Sequence, residues 1–281
     1  MKLLPDEIDP LIDAALKEDM PSGDLTSESL ISETSRSRAV FLAKEEGVLA
    51  GIGVARRVFE RVDPGVRFVV RFRDGRAFMP GDILAEVRGR SVSLLKGERT
   101  ALNFLQRMSG IATRTRRFVE AVAGTGAIIL DTRKTTPTLR RLEKYAVRMG
   151  GGENHRANLS EMMLIKDNHL ALIGSIPEAV RRARKRVGRT GMIEVEVASF
   201  AAAREAVAAG ATRIMLDNMP LNRMRPVVRW LKGKAPVEVS GKVGLERVRK
   251  VAELGVAYIS VGSLTHSFRS VDISLEFREG R

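Results

Sequence analysis

The chain lacks cysteine altogether, and among its 281 residues there are only three histidines, one Trp, two Tyr and ten Phe. Each shortage closes a class of function. Without thiols there are no disulfides, zinc knuckles, iron–sulfur clusters or thiol nucleophiles. His155, His169 and His266 are too far apart for an HExxH zinc helix. No apolar run approaches the ~18–20 residues of a membrane span. Met1–Glu7 breaks into Pro5 and acids where a signal peptide needs an apolar core. The expectation is a cytoplasmic protein with no membrane partner.

What the chain has in excess is positive charge. Lys and Arg number 48 against 34 Asp and Glu, a net charge of +14 with a pI near 10.7. Such a balance suits nucleic acid or polyanionic small molecules. Single-strand nucleic-acid binders interleave aromatics with their cations, and none of the donor clusters described below contains an aromatic residue. No nucleic-acid partner is therefore expected. Much of the charge reads as solvated surface, as in Arg181–Arg186 on a helical stretch.

Along the chain it is rhythm that changes. Pro5–Glu18 reads as a helix, and short β-like runs follow at Arg38–Lys44 and Arg67–Phe72, separated by Pro-Gly and Asp-Gly turns. Gly97–Ala123 keeps helical spacing, with Ser109-Gly110 a predicted bend. After Gly124 the pattern becomes alternating strand and helix. Apolar strands end in polar residues: Ile128–Leu130 before Asp131, Met163–Ile165 before Lys166, Ile193–Val197 containing Glu194 and Glu196. The series continues with Ile214–Leu216 before Asp217, Val237–Val239 before Ser240, and Tyr258–Val261 before Gly262. The markers Glu196, Asp217, Ser240 and Val261 are 21, 23 and 21 residues apart. Such a βα series builds a parallel sheet, open or closed, and six strands favour a shortened barrel over the usual eight-unit one. In either, ligands bind at the C-terminal ends of the strands, where these polar residues gather.

Five groups of residues carry chemistry. In Asp131–Pro137, Arg133 offers a planar fork and Lys134 a point charge to an anion, and Thr136-Pro137 reads as the start of a helix. Gly150-Gly151-Gly152 permits close approach or left-handed backbone just before Asn154-His155-Arg156. Lys166 either pairs with a neighbouring acid such as Asp167 or reaches a ligand, and His169 reads as structural. Glu194 and Glu196 share one face of a strand by period two, and with Asp217 they suit Mg²⁺, or an ion pair, or both. Ser240-Gly241-Lys242 and Val261-Gly262-Ser263 end successive strands with small residues whose N–H groups suit phosphate.

Seven ordered motifs together resemble the quinolinate phosphoribosyltransferase family, the carboxylating nicotinate-nucleotide pyrophosphorylases. They are Glu98–Asn103, Asp131–Thr135, Gly151–Arg156, Ile165–His169, Glu194–Val197, Leu216–Asn218 and Val261–His266. The resemblance implies a type II phosphoribosyltransferase fold: an N-terminal α/β sandwich over 1–110, joined by 267–281, and a six-stranded α/β barrel over 111–266. It also implies transfer of phosphoribosyl from phosphoribosyl pyrophosphate (PRPP) to quinolinate with loss of CO₂, in NAD biosynthesis, with Mg²⁺. By motif, Arg133, His155, Arg156 and Lys166 would bind quinolinate. Lys134, Glu196 and Asp217 would be catalytic, facing PRPP, with Glu196 and Asp217 on the metal. Thr132 lies in the same set. Ser240, Gly241, Lys242, Val261, Gly262, Ser263 and His266 would hold the phosphate end. A homodimer or higher homo-oligomer is implied, with Arg99 reaching the neighbouring site. The chain has Lys242 where the family often has a second glycine. A paralogous branch tied to molybdate transport shares the fold and is the alternative.

Overall fold

A computed structural model describes residues 3–278. The first half runs α1 (Pro5–Asp19), α2 (Leu25–Leu30), β1 (Arg36–Ala43), β2 (Gly47–Val48), α3 (Ile52–Val62), β3 (Arg67–Val70), β4 (Ala77–Phe78), β5 (Ile83–Arg90) and α4 (Ser91–Ala121). The second runs β6 (Ile128–Leu130), α5 (Arg140–Met149), β7 (Met163–Ile165), α6 (Asp167–Ile173), α7 (Ile176–Val187), β8 (Ile193–Val197), α8 (Phe200–Ala208) and β9 (Arg213–Asp217). It closes with α9 (Leu221–Leu231), β10 (Val237–Ser240), α10 (Leu245–Ala252), β11 (Tyr258–Ser260), α11 (Ser263–His266) and β12 (Ile273–Arg278). These form two compact units. Among the described residues the first holds 3–116, 135–151 and 264–278, and the second 117–134 and 152–263.

In the first unit an antiparallel sheet of order β12-β1-β5-β3 takes in the last strand of the chain, as the resemblance implies. The alternation of β1 buries Ala39, Phe41 and Ala43. Phe41, Phe59 of α3 and Phe68 of β3 form a ring cluster with centroids 5.6–6.1 Å apart. Glu86 of β5, buried, takes guanidinium groups from Arg38, Arg71 and Arg88.

Two expectations change here. α4 runs unbroken through Ser109-Gly110. A Cβ on Gly110 would lie 2.2 Å from the Arg269 carbonyl oxygen, so this glycine serves close backbone approach, not a bend. The helix expected from Thr136 begins only at Arg140, because Thr138 turns left-handed (φ 68) before it. Residues 135–151 belong to the first compact unit. Tyr145 donates to Asp74 (2.7 Å), Arg116 to the Gly150 carbonyl (3.1 Å), and Gly150 lies so close to Ala112 and Thr115 that a Cβ would approach both to 2.5 Å.

The second unit is a six-stranded parallel array of order β6-β11-β10-β9-β8-β7, alternating with helices, the barrel fold expected. Its strands are short and rich in Ile and Val. Ser175 and Ser199 cap α7 and α8, accepting the N–H groups of Glu178 and Ala202 (3.4 and 3.1 Å). Beyond the named strands, Leu130 bridges to Glu153, so the end of β6 is tied to the chain that leads into β7. The strands expected from sequence in this unit are present within a residue at each end. Among the described residues no helix is long and apolar enough to cross a membrane.

Candidate active site

Parallel strands set their last residues side by side. Ser240 of β10 is in register with Asp217 of β9, and Glu196 of β8 with Met215, so Asp217 and Glu196 stand on adjacent strands near their C-terminal ends. Lys166 follows β7, the other neighbour of β8, and its ammonium pairs with Glu196. Asp167 is not its partner. Glu196 is only 10 % exposed and Glu194 fully buried, so both acids leave the outer surface as period two requires, Glu194 the more buried of the pair.

The cation loops are braced by a buried acid. Asp131, 0 % exposed at the end of β6, accepts from Asn154 Nδ2 (2.6 Å) and from the His155 N–H (2.9 Å). The loop of Thr132, Arg133 and Lys134 is thereby tied to that of His155 and Arg156. Within the first, Thr132 Oγ1 accepts the Lys134 N–H (3.0 Å). Arg133 and Lys134 are exposed and Arg156 half-buried. Burial, then the charge of Arg133, lowers the pKa of Arg156 below its usual value. Cations are thus crowded at this exposed strand end.

His155 turns inward. Its Nε2 lies 3.2 Å from Glu194 Oε2 and 3.5 Å from Glu238 Oε1. Glu238 also takes Arg213 (3.2 Å) and the Ser260 hydroxyl, and Arg213 lies over the Tyr258 ring (4.1 Å). Burial raises the pKa of Glu194; burial, then the charge of Glu194, pushes Glu238 up to about 7. Glu238 and Arg213 were not among the sequence candidates. The alternation Val237-Glu238-Val239, the same as in Ile193–Val197, is the signal that could have found Glu238.

In the loops after β9 and β10 the backbone is strained. Asn218 (φ 49) and Lys242 (φ 48) are two of three left-handed non-glycine residues among the described ones, and Gly241 between the loops has φ 89. The Asn218 N–H donates to the Ser240 carbonyl (3.1 Å), and its Nδ2 donates to Asp217 (2.7 Å). A Cβ on Gly241 would sit 2.3 Å from Asn218 Oδ1, so this glycine makes room for the residue that orients Asp217. The Val261 N–H donates to the Leu130 carbonyl (2.9 Å), which holds Gly262 and Ser263 next to the end of β6. His169 accepts the Lys166 N–H on Nδ1 (2.9 Å), the structural role expected. Arg99 and His266 fall in the first unit. Arg99 is exposed on α4, and His266 Nδ1 is 2.7 Å from the Ser267 hydroxyl.

Comparison with known proteins places this arrangement. Residues 24–109 match the family described as quinolinate phosphoribosyl transferase, N-terminal domain, and 111–276 its C-terminal domain. A probable nicotinate-nucleotide pyrophosphorylase (carboxylating) of Bacillus subtilis is 45% identical over 92% of this chain and 89% of its own. A mitochondrial quinolinate phosphoribosyltransferase (decarboxylating) of Nicotiana tabacum is 40% identical over 93% of this chain and 80% of its own. Among solved structures, NadC of Streptococcus pyogenes superimposes with a TM-score of 0.95 at 43% identity, covering 99% of this chain and 100% of that one. The chain belongs to the quinolinate phosphoribosyltransferase family.

Proposed function

We propose that this chain transfers the phosphoribosyl group of PRPP to quinolinate and releases nicotinate mononucleotide, pyrophosphate and CO₂. The observation that carries the reading is the charge pattern at one end of the parallel array. Arg133, Arg156 and Lys166 gather at the ends of β6 and β7 and before them, while Glu196 and Asp217 hold the ends of β8 and β9. Quinolinate brings two carboxylates and PRPP several phosphate charges, so a site for both must present cations and still keep carboxylates for a metal and a developing cation.

The residues fit Mg²⁺. Glu196 and Asp217 offer hard carboxylate oxygens on adjacent strands, and Mg²⁺ is held by one or two such groups plus water and substrate phosphates. Those two residues would hold it, and bound there it would neutralise the diphosphate leaving group. The chain's own groups do the rest. Arg133, Arg156 and Lys166 orient the quinolinate carboxylates so that the ring nitrogen faces C1 of the ribose. As the C1–oxygen bond breaks and the pair leaves on pyrophosphate, Glu196 and Asp217 place negative field beside the oxocarbenium-like carbon, and Lys134 opposes the charge on the diphosphate. The nitrogen pair then closes the N–C1 bond. The ring becomes cationic, accepts the electron pair of the breaking C2–carboxylate bond, and takes a proton at C2 from solvent after CO₂ departs. Ser240–Lys242 and Val261–Ser263 receive the 5′-phosphate.

A homo-oligomer in which Arg99 reaches a neighbouring site, and a cytoplasmic location where polyanionic PRPP is kept, complete the reading. Incubation with quinolinate, PRPP and Mg²⁺ tests it: nicotinate mononucleotide and CO₂ form in equal amounts. A folded protein that binds both substrates' analogues or neither, yet forms no product, would overturn it.

A further inference from the structure

The buried group of His155, Glu194, Glu238, Arg213 and Ser260 is larger than anion binding requires. Its logic rests on one short contact: the Arg156 N–H donates to Nδ1 of His155 at 2.8 Å. A ring nitrogen that accepts a hydrogen bond carries no proton, so the neutral ring holds its proton on Nε2. That N–H then points at Glu194 Oε2 (3.2 Å) and Glu238 Oε1 (3.5 Å), so both nitrogens are engaged inside the protein. Two other readings of the cluster fail on the same contact. An imidazolium would turn an Nδ1–H against the Arg156 N–H. A metal ion among His155, Glu194 and Glu238, whose donor atoms lie within 4.8 Å of one another, would need the Nε2 lone pair and force the same clash. Arg213, in contact with Glu238, adds a repelling charge.

We propose, on the quinolinate reading above, that Glu238 is a positioning residue: with Glu194 it clamps His155 as the Nε2–H tautomer, and His155 in turn fixes the main chain from which Arg156 reaches its substrate carboxylate. Arg213 and Ser260 fix Glu238 on one side. The Arg156 guanidinium is fixed on the other, its Nη1 donating to the Met162 carbonyl (3.0 Å). His155 thus supports Arg156 rather than offering a free nitrogen to quinolinate. The charged groups around the clamp are Arg213, Arg156 and Lys166, each of which acts on Glu194.

The chain's three histidines make the test direct, because ¹⁵N-histidine labelling gives three imidazole patterns and His155→Asn identifies the one of interest. The wild-type His155 pattern is expected to be that of a neutral ring protonated at Nε2, before and after quinolinate is added. An imidazolium or an Nδ1–H ring would overturn the clamp whatever the enzyme does. In Glu238→Gln the ring should keep its Nε2–H tautomer, which the Arg156 N–H and Glu194 still select, but lose one of its two carboxylate anchors, and calorimetric affinity for quinolinate should fall about tenfold, the effect of one unmade buried hydrogen bond. Affinity for PRPP should stay within about twofold. Equal losses for both substrates, or none for quinolinate, overturn the positioning role. Ser260→Ala, which removes only the hydroxyl on Glu238, carries the same comparison if Glu238→Gln does not fold. A wild-type protein that forms no nicotinate mononucleotide would sink the reaction reading, while the tautomer pattern still decides the clamp.

Discussion

The Lys166 ammonium and the Glu196 carboxylate pair directly between the ends of adjacent strands β7 and β8. On the proposed function, this pairs the cation assigned to a substrate carboxylate with the acid assigned to the metal and ribose. On that proposal quinolinate shares Lys166 with Glu196. Lys166→Ala should raise the quinolinate KM and lower kcat/KM by about 2–4 kcal/mol, the range for one charge contact in a preorganised site. Steady-state kinetics with quinolinate varied at saturating PRPP measures it, and an unchanged KM would remove Lys166 from the quinolinate site.

Lys134 is exposed, and its main chain is held by Thr132. Its proposed work is on the diphosphate, so Lys134→Ala should lower kcat/KM for PRPP by about 2–4 kcal/mol and leave quinolinate affinity nearly unaltered. Wild-type kinetics in that variant would withdraw the assignment.

Gly241 and Lys242 should respond in opposite ways. Gly241→Ala puts a Cβ 2.3 Å from Asn218 Oδ1 at φ 89 and should destabilise the protein by about 1–3 kcal/mol. Lys242 sits at φ 48, a conformation glycine adopts freely. Lys242→Gly should leave the melting temperature equal or higher, yet raise the KM for PRPP about fivefold, the size of an exposed charge contact near 1 kcal/mol. Denaturation and kinetics on the two variants separate strain from charge. A fall in stability with no change in KM would mean that Lys242 serves the fold.

Acid should weaken the protein through two carboxylates of the first unit. Hydrogen bonds from Arg90 and Ser93 hold Asp63 down at about 2, and Arg71 with Arg38 does the same for Glu86. Both folded values lie below the ordinary carboxylate values of 3.8 and 4.5, so the stabilisation is full above those values and is lost as pH falls towards 2. Asp63 should account for about 1–2 kcal/mol after allowance for solvent screening. Urea melts of wild type and Asp63→Asn between pH 5 and pH 2, on the order of the range those values span, should show the shallower slope in the variant. Parallel slopes would contradict it.

The sequence was most legible where period decides structure. Ile128–Leu130, Met163–Ile165 and Ile193–Val197 are strands because apolar runs of that length between helical stretches have few other solutions, and the polar residues after them had to gather at one end. Glu194 and Glu196 share a face for the same reason. What stayed hidden depends on distant partners. Gly110 looks like a helix breaker until the Arg269 carbonyl stands against it. Thr136-Pro137 looks like a helix start until Thr138 turns the other way. Glu238 and Arg213 are ordinary strand residues in isolation, and only the pairing of β8, β9 and β10 gives them His155 as company.

The chain leaves the second unit after Lys134 and re-enters it at Gly152. Arg133-Lys134 is the last pair before the exit, and His155-Arg156 follows within four residues of the return. Neither unit is a continuous stretch of polypeptide, so no single cut yields the barrel alone. Both cation loops are also the two anchor ends of one tether, α5 with its flanking turns.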